Sequence, residues 1–284
     1  MTSAPIASQF IDVLGMHVHY QRGGEAGSPV VLLHGGGTDS SNLSWGLLLP
    51  ELARSQRVIA PDWPGYGRSE RTPREFSQEY YLDFLEAFLD ALEIERPGLA
   101  GISMGGGLAL GFALRHPERV ERIALLDSYG LAERAPYHFL SYLFVRMGWL
   151  NRLTWAWVRR SRSLTGYSLR SIFHDPKRIT PELVDQVYEE IRRPYPGRAF
   201  EAFQRSELLP GRLRTVYMAR LGELHLPVLL VHGEYDALVP LQAARRAQAR
   251  FPDARLEVIP GCGHWPQRER PDLVNPLLVD FFKE

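Results

Sequence analysis

Six apolar runs rich in valine, isoleucine and leucine recur along the chain, with helical patterns between most of them. The runs are "PVVLLHG", "RVIAPD", "PGLAGIS", "RIALLD", "PVLLVHG" and "RLEVIPG", each bounded by turn-forming residues. Short continuous apolar runs of this kind predict strands buried on both faces. "EYYLDFLEAFLDALEI", "MGGGLALGFALRHPERV" and "PLQAARRAQARF" carry helical periodicity. Strands that alternate with helices need crossover connections, and so predict a parallel sheet between helical layers. The N-terminal "FIDVLGMHVHYQRGG" instead alternates apolar and polar residues about a tight turn, which predicts an antiparallel pair opening the sheet.

The alternation breaks after Asp127 and resumes near Leu226. Between them, Leu131 to Arg212 holds Trp149, Trp155 and Trp157 and helical patterns such as "HFLSYLFVRMGWLNRL" and "ITPELVDQVYEEI". A helical cap inserted after the sixth strand is predicted, dividing the chain into core (1–130), cap (131–212) and core (213–284). The cap span carries 13 Arg and one Lys against eight acidic residues, a net charge of +6. Its arginines read either as a solvated face or as a surface that attracts an anionic, carboxylate-bearing substrate.

Across all 284 residues, Lys plus Arg and Asp plus Glu are equal at 33 each, so no global field favours nucleic acid or an anionic membrane. A small molecule is the expected partner, and nothing opposes self-association into a homo-oligomer. The start "MTSAPIASQF" lacks a basic region followed by an apolar stretch, and no run reaches the roughly 18 apolar residues of a spanning helix. A cytoplasmic location is expected. The single cysteine, Cys262, excludes an internal disulfide and reads as a packed side chain.

The stretch "LAGISMGGG" contains Gly101, Ser103 and Gly105 in the pattern G-x-S-x-G, at the end of a predicted strand and the start of a predicted helix. Such a turn lifts the serine hydroxyl out of the sheet as a nucleophile. A serine hydroxyl needs a base to take its proton, and the base needs an acid to orient it. His264 in "GCGHWPQRERP" and Asp236 in "VHGEYDALVP" both follow predicted strands. Loops at the carboxyl edge of a parallel sheet are where ligands bind. Asp127, which also ends a strand, is the competing acid. "HGGGTDS" follows the first parallel strand, so the backbone N–H groups of Gly36 and Met104 are the predicted oxyanion donors, with Gly37 as the neighbouring alternative. His34 reads as a support of that loop, and His17, His19, His116 and His232 as strand or helix-end residues. No metal-ligand spacing appears, and no loop has the lysine or glycine pattern of a phosphate or dinucleotide site, so neither metal nor cofactor is expected.

Taken together, Ser103, Asp236 and His264, in that order, resemble the α/β-hydrolase superfamily over nearly the whole chain. That resemblance implies a mostly parallel eight-stranded sheet flanked by helices. "HGGG", "SMGG", "FHDPKRITPELV", "ARLGEL" and "CGHWPQRERP" are similar to the meta-cleavage product hydrolases, which split carbon–carbon bonds in dienoate products of aromatic ring cleavage. Ser103 argues against epoxide hydrolases and haloalkane dehalogenases, whose nucleophile is an aspartate. Trp265 matches the resemblance, whereas Ile102 stands where such hydrolases commonly have asparagine, and Val187 where they have a substrate-binding cap arginine. Arg192 or Arg193 is the expected substitute for that charge. Hydrolysis of small carboxylesters is the alternative reading, followed by a perhydrolase and by a ligand-binding protein without turnover.

Overall fold

The computed structural model describes residues 5–71 and 75–284. Residues 1–4 lie outside them, so the expectation drawn from the N-terminal stretch rests partly on residues that are not described. Eight strands are present: β1 (Ile6–Val13), β2 (Met16–Gly23), β3 (Pro29–Leu33), β4 (Arg57–Pro61), β5 (Gly98–Ile102), β6 (Ile123–Leu126), β7 (Val228–Gly233) and β8 (Ala254–Ile259). They form one sheet in the order β1-β2-β4-β3-β5-β6-β7-β8. The β1–β2 and β2–β4 pairs are antiparallel and every other pair is parallel. All six apolar runs are strands, and the antiparallel pair opens the sheet. Leu14 and Gly15 turn between β1 and β2 with φ of 51° and 72°, the left-handed pair that suits the twist of a two-residue hairpin.

The helices are α1 (Ser41–Trp45), α2 (Leu49–Leu52), α3 (Gln78–Ala91), α4 (Met104–Arg115), α5 (His138–Arg146), α6 (Gly148–Val158), α7 (Arg162–Ser168), α8 (Pro181–Arg192), α9 (Arg198–Glu207), α10 (Leu241–Gln248), α11 (Pro266–Glu269) and α12 (Pro271–Lys283). Successive strand residues point to opposite faces, and both faces of the inner strands β3 to β7 are buried, whereas β8, expected to be buried on both faces, is half-buried because it lies at the edge of the sheet. Val31, Leu33, Leu99, Leu125 and Leu230 join one core with α3 and α4, while Val30, Leu32, Ala100, Leu126 and Val231 join another with α1, α2 and α12. On α3, Ser77 caps the first turn by accepting from the Tyr80 N–H, and Tyr81, Phe84, Leu85 and Phe88 follow at helical spacing, all fully buried. Each such side chain stabilises the fold by about 2–3 kcal/mol. Among the described residues between β6 and β7 lie helices α5 to α9, with two 3-10 turns between α7 and α8, and the one extended pairing is an isolated bridge from Leu208 to Leu213. The pattern "HFLSYLFVRMGWLNRL" is two helices rather than one. Met147 leaves helical geometry at ψ 60°, with Gly148 after it.

One buried carboxylate ties the antiparallel strands to the loops around the sheet. Asp62, just past β4, accepts from His19 Nδ1 on β2 at 2.7 Å, from the Ser41 N–H at 2.7 Å and from the Arg68 N–H at 2.8 Å. Burial alone would raise its pKa, but the His19 bond and the other donors outweigh it and bring the carboxyl down to about 2. A carboxyl with a lowered folded pKa adds stability that is present above its unfolded value and lost as pH falls through the folded one. Asp62→Asn should therefore cost about 2 kcal/mol at neutral pH. Denaturant titrations of the two proteins should converge as pH drops from about 5 towards 2. A gap that stays constant over that range would show that the charge on Asp62 contributes nothing.

Candidate active site

The turn between β5 and α4 holds Ser103 at φ 52° and ψ −116°, outside the regions that ordinary side chains prefer. Backbone bonds lock it there. The Ser103 N–H donates to the Leu126 carbonyl at 2.9 Å, and the Ser103 carbonyl accepts from Gly107 and Tyr129, both at 3.0 Å. Close approach explains the flanking glycines. A Cβ on Gly101 would lie 2.3 Å from the Gly105 carbonyl oxygen, and one on Gly105 would lie 2.2 Å from that of Leu33.

His264 and Asp236 meet although 28 residues separate them. The His264 Nδ1–H donates to Asp236 Oδ2 at 2.8 Å, and Asp236 Oδ1 accepts from the Leu238 and Val239 N–H groups at 2.7 and 3.0 Å. Burial opposes ionisation of Asp236, but the bond from His264 and the two backbone donors hold its carboxyl below the usual range. Asp127 is the opposite case. It sits at φ 40° with one oxygen accepting from the Gly233 N–H at 2.9 Å, while the other is buried with no partner among the described residues. Burial, and then the nearby Asp236 charge, push the Asp127 pKa well above the usual range, in the opposite direction to that of Asp236. His232 lies against both, its Nε2 3.3 Å from Asp127 and 3.6 Å from Asp236. These three residues bring potential metal-ligand atoms within 4.8 Å of one another. Of these groups, Asp236 serves three donors and His232 Nε2–H donates to the Val239 carbonyl at 2.9 Å, whereas one Asp127 oxygen has no partner among the described residues.

The glycine-rich loop after β3 is held from beneath. His34 Nδ1–H donates to the Gly35 carbonyl at 2.8 Å, and its Nε2 accepts from the Trp63 N–H at 3.1 Å, which leaves neither nitrogen for proton transfer. Asp39 accepts from the Gly35 and Ser40 N–H groups and from the Ser44 hydroxyl. Gly37 turns at φ +78°, and the Phe200 ring lies where a Gly36 Cβ would be, 2.2 Å away. Met104 opens α4, so its N–H has no acceptor within the helix, while its side chain is buried.

Ser103, His264, Gly36, Gly37, Ile102 and Trp265 line one cavity of about 450 Å³, and Asp236 stands behind His264. Phe144, Trp155, Val158, Val187, Ile191 and Phe200 complete an apolar wall, while Asn151, Thr154 and Gln204 add polar groups. The sequence reading did not single out Phe200, Asn151, Gln204 or Asp39. Only the "TDS" start of a helix hinted at Asp39.

Arg192 and Arg193 do not reach this cavity, which corrects the expectation that one of them lines it. On the amphipathic helix α8, Val187 and Ile191 face inward, and Arg192 points outward over the Tyr188 ring at 5.6 Å. Arg193 caps the helix and pairs with Glu190 at 2.6 Å. Among the described residues, no Lys or Arg lines the cavity.

Comparison with known proteins agrees with the geometry. Residues 28–271 match the family model for the alpha/beta hydrolase fold. The chain is 33% identical over 264 residues to a 2-hydroxymuconate semialdehyde hydrolase of Pseudomonas sp. (strain CF600), covering 91% of this chain and 88% of that one. It is 32% identical over 269 residues to a 2-hydroxy-6-oxo-6-phenylhexa-2,4-dienoate hydrolase of Burkholderia cepacia, covering 93% and 90%. The solved meta-cleavage product hydrolase of Pseudomonas fluorescens IP01 superposes with a TM-score of 0.82 at 30% identity, over 97% of each chain. With the sheet order, the strained serine turn and these relatives in agreement, the chain belongs to the α/β-hydrolase family and is a hydrolase related to the meta-cleavage product hydrolases.

Proposed function

We propose that Ser103 is the nucleophile, His264 its general base and Asp236 the acid that orients the imidazole. The single observation that carries this reading is the 2.8 Å bond from His264 Nδ1–H to the buried Asp236. It leaves Nε2 as the free basic nitrogen, on a ring that shares one cavity with Ser103. In this reading Ser103 Oγ attacks a carbonyl carbon while Nε2 takes the hydroxyl proton. The N–H groups of Met104 and Gly36, or of the neighbouring Gly37, stabilise the oxyanion. The proton then passes to the leaving group, and water repeats the sequence on the acyl-serine. The helical span from Leu131 to Arg212 acts as the lid, since α5, α6, α8 and α9 supply the wall opposite Ser103.

The relatives' substrates favour a 2-hydroxy-6-oxo-dienoate and cleavage of a carbon–carbon bond. A carbon leaving group departs only when a conjugated carbonyl takes up its electron pair, and a 2-hydroxy-dienoate supplies one when its enol ketonises, gaining a proton at the departing carbon and forming a conjugated 2-oxo group. That no described residue lining the cavity is a cation favours a second reading, hydrolysis of an uncharged carboxylester, because among those residues a dienoate carboxylate would be held by neutral donors such as Asn151 or Gln204. Two assays separate the readings: loss of the dienoate's visible absorbance, and phenolate release from short aryl esters. Ester turnover without dienoate cleavage would overturn the first.

Ser103→Ala and His264→Ala should each lower kcat/KM by about a thousandfold or more, since the members of a triad act as a unit. Near-normal turnover in either folded variant would remove the nucleophile assignment. Asp236→Asn should cost at least about a hundredfold, because the amide cannot hold the imidazole in the correct tautomer. Asp127→Asn should keep activity within about tenfold, since a neutral acid is replaced by a neutral amide that still accepts from Gly233 and can donate to Asp236. Its stability carries a sign. A carboxyl with a raised folded pKa adds stability below its unfolded value and loses it as pH rises through the folded one. The Tm of Asp127→Asn relative to the parent should therefore rise as pH increases above about 4. A relative Tm that falls would mean Asp127 is ionised and paired.

A further inference from the structure

A second cavity, of about 420 Å³, lies on the other side of α9. Its lining includes Arg71, Arg152, Arg198 and Arg205, against one carboxylate, Glu201. That carboxylate is already engaged, by Arg205 at 3.0 Å and by Asn151 Nδ2 at 3.0 Å. The remaining guanidinium groups have no ion pair among the described residues. Arg71 is held in place by donating to the Pro194 and Gly67 carbonyls at 3.1 and 2.9 Å, and burial pulls its pKa below the usual arginine value. Arg198 stacks over the Tyr195 ring at 4.4 Å.

This concentration of charge differs from a solvated arginine face in two ways. It is concave, and it has an apolar floor of Phe76, Ala199 and Ala202 beside the Tyr195 ring. Arg71 is partly buried, while Arg152, Arg198 and Arg205 are exposed around the hollow, and positive charges gathered about one concave surface favour entry of an anion. Planar guanidinium groups suit a carboxylate, which they can bind through two parallel N–H bonds, and the aromatic and alanine surfaces suit a flat apolar body. Helix α9 is the shared wall. Gly197, Phe200 and Gln204 line the Ser103 cavity, whereas Arg198, Glu201, Ala202 and Arg205 line the arginine cleft.

We propose that this cleft is a separate binding site for an aromatic or apolar organic carboxylate, the class of compound that hydrolysis of a ketone or ester releases. Its occupancy does not depend on the assignment of Ser103. The test is calorimetric titration of the full-length protein with benzoate and with inorganic phosphate, repeated on the Arg152→Gln/Arg198→Gln variant. Benzoate should bind the parent more tightly than phosphate does, and the double substitution should weaken it at least about tenfold, as expected when two charge-assisted bonds are lost. Should the double variant fail to match the parent's thermal unfolding, the single variants serve, each expected to weaken benzoate severalfold. No benzoate binding, or binding that the substitutions leave unchanged, overturns the site. Phosphate binding more tightly than benzoate overturns the ligand class. Ser103→Ala should bind benzoate as the parent does, so loss of activity there with binding intact separates this site from the catalytic one.

Discussion

The close approach of three backbones around Ser103 is the constraint on which the rest of the site depends. Strand β5 must run beside β3 tightly enough that the Leu33 carbonyl and the Gly105 Cα nearly touch, and α4 must leave β5 so sharply that Gly101 meets the Gly105 carbonyl. No side chain fits in either gap. The strain at Ser103 persists because the parallel ladder to β6 supplies acceptor and donor on both sides of the turn, through Leu126 and Tyr129. The rigid sheet thereby holds the hydroxyl in place, and the loops that end β7 and β8 carry Asp236 and His264 to the same edge.

Three buried carboxylates, Asp62, Asp236 and Asp127, are shifted in opposite directions by the groups that face them. Asp62 and Asp236 each receive three hydrogen-bond donors, which offset the loss of water and keep them ionised. Asp127 receives one backbone donor and faces another carboxylate, and its pKa is pushed up instead. The distinction between Asp236 and its competitor therefore lies in donors from the Asp236 loop itself, whose N–H groups at Leu238 and Val239 turn back onto the carboxylate.

Charge in the inserted helices is sorted by helix phase. Val187 and Ile191 on α8 and Phe200 on α9 turn towards the Ser103 cavity, and the arginines beside them in sequence turn away. The net charge of +6 over Leu131 to Arg212 thus sits on the outer side of the wall, part of it gathered into a cleft of its own. An apolar cavity lined by Ser103 and His264 lies beside a cleft lined by arginines, with α9 between them.

Much of this was legible without coordinates. Continuous apolar runs can only be strands buried on both faces, and helices between them force a parallel sheet, so the order and type of the eight strands followed from hydrophobic periodicity. Ser103, Asp236 and His264 were legible because each follows a strand, and parallel strands bring their carboxyl ends to one edge whatever lies between. The tertiary structure alone decided what depends on helix phase and on contacts between distant segments. It turned Arg192 and Arg193 away from the cavity, laid Phe200 over Gly36, placed Asp39 beneath the glycine loop and gathered Arg71 with Arg152 and Arg198. A rotation of one residue turns a helical side chain by about 100°, and sequence periodicity defines a face of a helix without saying which cavity that face meets.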